Sequence, residues 1–241
     1  RDPTRWPGAR KLPRRSHSIG YPWMGKLRRG VRLQPSRYVG YVSEYRKDGR
    51  FFGTWELVQL LERAAWRVAR RHPGAKLYVG ELSKAGGGEV PGHASHENGR
   101  DVDIAFYLRD ARGKPLRPRS FIHIRRDGSA RAPHEGVRFD DARNWELVAK
   151  LVADGDAKVQ RIFVGAAIRR RLLDYARQHN APQVLLERAA QVMVQPAQGH
   201  PHRNHFHVRI YCPPSDRPAC KDRAPFYPWY PQDTMHADAK H

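Results

Sequence analysis

The sequence predicts an α+β fold with a central antiparallel sheet, flanking helices and irregular loops. Two segments, 101–106 and 205–210, alternate polar and apolar residues at the period of a strand, and four others repeat apolar residues at helical spacing. Since no linker divides the 241 residues, we expect one large domain at 19–222. A flexible basic arm at 1–18 precedes it, and a Pro/aromatic tail at 223–241 follows.

The first part of the chain predicts short strands around one long helix. Residues 1–18 are basic and contain proline without an apolar period, which is typical of a solvated arm. Between 18 and 42, short apolar groups alternate with Gly and Pro, so irregular strands and turns are expected. Thr54 is the expected N-cap of a helix that ends before His72. Its apolar residues recur at helical spacing: Leu57, Leu60, Leu61, Ala64 and Val68.

Strands are predicted in the middle of the chain. They lie at 76–82 and 101–106, with a further strand at 120–124. The glycine run 86–88 lacks the Gly-Lys-Ser/Thr ending of a phosphate loop. We therefore interpret it as a place where the backbone passes close to the site or the substrate.

Helices dominate the last part. Three are predicted, at 141–153, 166–178 and 182–193. Asn180 is the expected cap of the third, with Pro182 in its first turn, and 159–164 is a strand between the first two. The tail is rich in aromatic residues, and it either docks on the domain or extends freely into solvent. These residues are Phe226, Tyr227, Trp229 and Tyr230.

The composition predicts an anionic partner. Lys and Arg number 45 against 24 Asp and Glu, which gives a net charge of +21. Nucleic acid, acidic polymers of a cell wall and the free carboxylates of the wall all fit, and the charge alone does not choose between them. No apolar run approaches the roughly 18 residues of a membrane span, so none is expected.

Two features favour an exported protein. Cys212 and Cys220 enclose a Pro-rich loop with no other apparent means of staying folded, so a disulfide is favoured over a pair of free thiols. The chain begins at Arg1 rather than at Met, and we expect that a leader was removed or omitted.

The two alternating strands carry residue types that bind metals. Asp101 and Asp103 share one face of the first strand, His205 and His207 share one face of the second, and His96 precedes Asp103 by seven residues. A buried face with two carboxylates needs cations, donors or a metal. Set side by side, the strands can supply His, Asp and His with a position left for water, which is the pattern of a catalytic zinc site. Six of the thirteen histidines lie in two short segments: His93, His96, His200, His202, His205 and His207.

Residues 92–103 and 199–213 resemble the two active-site segments of the penicillin-insensitive murein endopeptidases. These are zinc peptidases grouped with lysostaphin-type peptidases, D-Ala-D-Ala peptidases and the hedgehog signalling domain. The family pattern is His, six residues, Asp, then His-x-His downstream. The sequence matches it at His96, Asp103, His205 and His207, within the contexts Gly-His-Ala-Ser-His, Gly-x-Asp-Val-Asp and His-Val-Arg. The likeness spans about residues 19–222 and includes 139–145 and 159–164.

The resemblance implies a zinc ion held by His96, Asp103 and His207. Such an ion lowers the pKa of water and polarises a peptide carbonyl. The sequence has no His-Glu-x-x-His, so another group must handle the proton. His205, two residues from a ligand and on its face, is our first choice for moving that proton or stabilising the oxyanion, and the resemblance agrees.

Further implications concern the surroundings and the substrate. The resemblance implies active-site roles for His93 and His202, whereas Asp101 either orients a histidine or is a plain ion-paired aspartate. The family cuts D-alanyl to meso-diaminopimelyl cross-links in peptidoglycan. We therefore expect a periplasmic or secreted murein endopeptidase whose partner is peptidoglycan and not nucleic acid; the oligomeric state stays open.

Three alternatives remain at this point. A D,D- or L,D-carboxypeptidase on stem peptides shares the metal chemistry and differs only in pocket shape. A zinc-containing cell-wall-binding protein has a precedent among the hedgehog relatives, but retention of both His205 and His207 argues against it. A metal-dependent nuclease fits the charge and the Asn204-His205 pair. Its site, however, needs a helix after the hairpin, which Cys212-Pro213-Pro214 blocks.

Overall fold

The computed structural model describes residues 16–230, so residues 1–15 of the predicted arm and residues 231–241 of the predicted tail lie outside it. Four helices are described: α1 Trp55–Arg71, α2 Asp141–Val152, α3 Ala166–Gln178 and α4 Gln183–Val192. The strands of the first half are β1 His17–Tyr21, β2 Met24–Arg28, β3 Val31–Arg32, β4 Val39–Tyr41, β5 Phe52–Gly53 and β6 Leu77–Val79. Those of the second half are β7 Asp101–Ala105, β8 Leu108–Arg109, β9 Arg138–Phe139, β10 Val159–Phe163, β11 Met193–Val194 and β12 His205–Ile210.

A six-stranded sheet in the order β11-β10-β12-β7-β6-β4 forms the centre of the fold. Its middle strands, β10, β12, β7 and β6, pair antiparallel as predicted. The two edge strands differ, because β4 pairs parallel to β6 and β11 pairs parallel to β10. Helices explain the difference: α1 connects β4 to β6, and α3 and α4 connect β10 to β11, since parallel neighbours need such crossovers. The class is therefore α+β with a mixed sheet.

The two faces of the sheet have different surroundings. Val102 and Ile104 of β7 and Phe206 and Val208 of β12 are buried in the same hydrophobic core as the apolar faces of the helices. Because side chains alternate along a strand, the polar residues of β7 and β12 lie on the opposite face, among the loops. The predicted alternation of both strands is confirmed.

Most predicted helix boundaries agree with the structure. The Thr54 side chain accepts a hydrogen bond from the backbone N–H of Leu57 at 3.3 Å, which caps α1, and α3 has the predicted limits. The cap predicted for α4 is wrong: Pro182 is the N-cap, and Asn180 lies in the preceding turn with a φ of 51°. The strand predicted at 120–124 is also wrong, because this segment forms a loop with a single bridge, Ile124 to Ala130.

The glycine run brings two backbones together, as interpreted. Gly87 has a φ of +70°, and a Cβ there would lie 2.1 Å from the Glu97 carbonyl oxygen. The Gly88 N–H donates to the same carbonyl at 2.8 Å. This contact holds the loop that carries His96, so a side chain at Gly87 would displace that loop.

The tail docks on the sheet as far as Tyr230. Tyr227 and Tyr230 are buried, and their hydroxyls donate to the carbonyl oxygens of Gln160 at 3.0 Å and Val159 at 3.3 Å. Strand β10 is therefore covered by the end of the described chain. No helix within residues 16–230 has both the length and the apolar character that crossing a bilayer requires.

The disulfide between Cys212 and Cys220 is present, with a sequence separation of 8. We expect both cysteines to resist alkylation until the disulfide is reduced. The Cys212→Ser/Cys220→Ser variant should lose about 2–3 kcal/mol of unfolding free energy, because the bond restrains the unfolded chain. Urea unfolding of oxidised wild type and variant measures this, with reduced wild type as the control. Equal stability of the oxidised wild type and the variant would contradict the prediction.

Candidate active site

The site is built on the neighbouring strands β7 and β12. Their antiparallel register places His207 opposite Asp103 and Arg209 opposite Asp101. His207 Nδ1 lies 3.1 Å from Asp103 Oδ1, and both side chains are buried. The two strands therefore bring the imidazole and the carboxylate predicted as metal ligands into contact.

His96 joins this pair from the loop before β7. It is fully buried and has a φ of 76°, an uncommon backbone conformation that the surrounding contacts hold. Its Nδ1 lies 2.9 Å from the Leu82 carbonyl oxygen, which can only accept, so Nδ1 carries the proton. In the neutral ring the other nitrogen, Nε2, is then the electron-pair donor, and it lies 3.3 Å from Asp103 Oδ2.

Three buried atoms in this cluster have the chemistry of metal ligands. His96 Nε2, His207 Nε2 and Asp103 Oδ1 have no hydrogen-bond partner, although each lies in a polar cluster. Buried polar atoms left unpaired are costly, and imidazole nitrogen with carboxylate oxygen is a donor set that suits zinc. Ligand atoms of His93, His96 and Asp103 also lie within 4.8 Å of one another. Among the described residues, the group with this spacing therefore contains His93 and not the predicted ligand His207, which reaches the cluster through its 3.1 Å contact with Asp103.

Two buried carboxylates make the cluster negative. Burial raises the pKa of the Asp103 carboxyl, but His96 and His205 beside it outweigh burial and hold that pKa well below its usual range. For Asp101, burial also raises the pKa, but Arg209 and His207 outweigh it in the same way. Arg209 neutralises one charge through two hydrogen bonds to Asp101 of 2.7 and 3.0 Å. The Asp103 charge remains for the histidines or a cation.

Asp101 also contacts two of the histidines. Its Oδ2 accepts from the His96 backbone N–H at 3.2 Å, and its Oδ1 lies 3.5 Å from His207 Nε2. The carboxylate is therefore ion-paired with Arg209, and it also lies next to both histidines.

His205 lies at the edge of the cluster and is partly exposed. Its Nε2 is 3.4 Å from Asp103 Oδ1, and its Nδ1 is 2.8 Å from the Asn204 side-chain oxygen. Its ring stacks on Phe121 with the centroids 4.5 Å apart. These contacts hold the imidazole beside Asp103, where it faces the cavity.

His202 approaches from the loop before β12. Its ring centroid is 4.8 Å from that of His205 and 5.6 Å from that of His207. Burial, together with the neighbouring His205 and His207, lowers the pKa of His202 to about 4. His202 is therefore neutral at physiological pH.

Glu81 is a site residue that the sequence did not predict. Its Oε2 lies 2.7 Å from His93 Nε2, and its Oε1 accepts from Arg50 at 2.8 Å. The hydrogen bond to Glu81 raises the pKa of His93, against the effect of burial. The available signal was that Glu81 is the one acidic residue in the predicted strand 76–82.

A cavity of about 700 Å³ opens onto the cluster. All six histidines of the two sequence segments line it, together with aromatic residues that the sequence did not mark: Trp23, Tyr45, Phe121 and Phe163. A cavity of this size with a few convergent polar groups is typical of a substrate site.

Comparison with known proteins agrees with this geometry. A sequence model of the penicillin-insensitive murein endopeptidase family matches residues 18–234. The chain belongs to this family. Both histidine segments lie within the matched region, so the family resemblance noted from the motifs is confirmed.

Individual members of the penicillin-insensitive murein endopeptidase family are similar over most of the chain. Proteins with this name from Klebsiella pneumoniae strain 342 and Haemophilus influenzae are 32% and 30% identical over 201 and 200 residues, each match covering 81% of this chain. One from Salmonella heidelberg is 33% identical over 199 residues, 80% of the chain. The matches cover 66%, 64% and 66% of those relatives, so the chain spans just under two thirds of their length.

Proposed function

We propose that the protein is a zinc-dependent endopeptidase that hydrolyses D-alanyl to meso-diaminopimelyl cross-links in peptidoglycan. Membership of the murein endopeptidase family supports this proposal. The observation that carries it is the convergence of His96, Asp103 and His207, with buried nitrogen and oxygen atoms that lack hydrogen-bond partners. When bound, zinc would supply Lewis acidity to a peptide carbonyl and lower the pKa of water.

The proposed roles follow from the contacts. His96, Asp103 and His207 hold the metal, and Asp101 positions both histidines through the His96 backbone and the His207 ring. His205 moves the proton or stabilises the oxyanion, because it lies beside Asp103 at 3.4 Å but remains partly exposed to the cavity. Neutral His202 donates its Nδ1–H to the His200 carbonyl oxygen at 2.7 Å, so its Nε2 accepts a hydrogen bond from the substrate.

His93 has a separate proposed role at the Glu81 side of the cavity. Its Nε2 is occupied by Glu81, and its Nδ1 lies 3.6 Å from Asp103 Oδ2. Glu81 therefore fixes the orientation of the His93 ring, as carboxylates behind active-site histidines do. This arrangement allows His93 to contact either the substrate or the metal.

We expect Glu81→Gln to reduce turnover about 10–100-fold, because a neutral amide orients the His93 imidazole less firmly. Arg50→Gln, which removes only the outer partner of Glu81, should have a smaller effect. The measurement is kcat on cross-linked muropeptides, with zinc content and thermal stability recorded for each variant. Wild-type turnover in Glu81→Gln would show that the contact has no functional role.

Incubation of the zinc-loaded protein with isolated cross-linked sacculi tests the function. We expect cross-linked dimers to be converted to monomers, identified by mass. Release of free D-alanine with cross-links intact would instead indicate a carboxypeptidase. Sedimentation with the sacculi without any product would indicate a binding protein. A periplasmic or secreted location is part of the proposal. It is supported by the disulfide and by the location of peptidoglycan outside the cytoplasm.

A further inference from the structure

A second cavity, of about 230 Å³, adjoins the candidate active site. Trp23, Phe163 and Arg209 line both cavities and form the wall between them. Arg209 lies two residues beyond His207 on β12 and on the same face, so the Cα atoms of these two residues are about 7 Å apart along the strand. An extended peptide covers this distance with about two residues.

The cavity has an excess of positive charge. Five cationic residues line it against one carboxylate, Asp222: Arg100, Arg161, Arg209, Lys221 and Arg223. Buried Arg100 pairs with Asp222 at 2.5 Å, and Arg209 pairs with Asp101. Within residues 16–230, the other three have no carboxylate at ion-pair distance: Arg161, Lys221 and Arg223.

Aromatic rings hold one of these cations in place. The Arg223 guanidinium lies 4.9 Å from the Tyr21 ring centroid and 5.4 Å from that of Trp23. Tyr21 and Trp23 stack on each other at 5.0 Å with an interplanar angle of 10°. Stacking uses the face of the guanidinium and leaves the N–H groups at its edge free to donate. Trp23 is 37% exposed, so the platform is open to solvent.

We infer that this cavity, lined by Trp23, Arg161, Lys221 and Arg223, binds a free carboxylate of the peptide whose cross-link is cleaved. The inference rests on the proposed function for the substrate. A carboxylate matches the Lys221 ammonium and the Arg223 guanidinium, which have no carboxylate at ion-pair distance within residues 16–230, and charge-assisted hydrogen bonds of this kind are directional. The position about two residues from the scissile bond suits a peptide terminus better than a long polymer.

The Lys221→Gln/Arg223→Gln variant tests this inference, because both residues are exposed and outside the metal cluster. We expect KM for a soluble cross-linked peptide dimer to rise about 10-fold, with kcat nearly unchanged and zinc content equal to that of the wild type. Arg112→Gln/Lys114→Gln, on an exposed turn outside both cavities, changes the net charge equally and should leave KM unchanged. With the carboxylates of the dimer amidated, the wild type and the Lys221→Gln/Arg223→Gln variant should have the same KM.

Calorimetric binding of the same dimer separates this inference from the proposed function. If the wild type does not cleave the dimer but binds it more tightly than the amidated form, and the Lys221→Gln/Arg223→Gln variant loses that difference, the carboxylate site stands and the proposed function fails. If the wild type cleaves the dimer and the variant has wild-type KM and affinity, the carboxylate site is wrong. A KM increase that persists with the amidated dimer also overturns it.

Discussion

Replacing His96 with alanine is expected to remove most of the zinc from the protein, and Asp103→Ala and His207→Ala should do the same. Each side chain supplies one of three protein ligands in the proposed site, so its loss leaves two. Since loss of a group merely supporting a ligand weakens metal binding about 10–100-fold, loss of a ligand should exceed that. Metal analysis after dialysis against a weak chelator measures it.

His93→Ala is the informative partner of these variants. Ligand atoms of His93 lie as close to His96 and Asp103 as a metal site requires, so the structure permits His93 in place of His207. We expect His93→Ala to retain zinc, because Glu81 already engages its ring. Exposed His179→Ala serves as a control for the loss of a histidine. If His207→Ala keeps full zinc occupancy and His93→Ala loses the zinc, then His93 is the metal ligand and His207 is not.

The polar faces of the central strands could be predicted because strand geometry is local. Alternation alone placed Asp101, Asp103, His205 and His207 on one face, and the register then set His207 opposite Asp103. The helices could also be predicted from local sequence, since Thr54 and the apolar period mark α1 without reference to the rest of the fold. The local sequence pattern was sufficient to predict those elements whose structure depends mainly on their own residues.

Features that depend on distant contacts could not be predicted in this way. The direction of the edge strands follows from helical crossovers, which strand patterns do not encode. The segment 120–124 has strand-like composition, but the Ile124 N–H bonds to the Arg203 carbonyl and the segment remains a loop. Glu81 and Trp23 enter the cavity only through tertiary packing, so no motif around them signals a role.

His205→Ala is expected to keep zinc and lose activity. Strand alternation puts His205 on the face of His207, yet it lies opposite Ala105, two residue pairs from the Asp103 and His207 contact. It therefore approaches the reaction centre from the cavity side and is held there by Asn204 and Phe121. Positioned acid–base or oxyanion groups contribute about 10²–10⁴ in rate, so kcat on cross-linked muropeptides should fall by that factor.

Stability and metal content separate this role from a structural one. His205 is partly exposed, so its replacement should change the free energy of unfolding only slightly, although kcat falls strongly. His200→Ala, another histidine of the same cavity but on an exposed loop, is the matched control and should retain most activity. If His205→Ala loses zinc while His207→Ala retains it, His205 is the ligand. If it keeps both zinc and full turnover, the proton must move through His93 or His202, whose alanine variants would then show the loss in kcat.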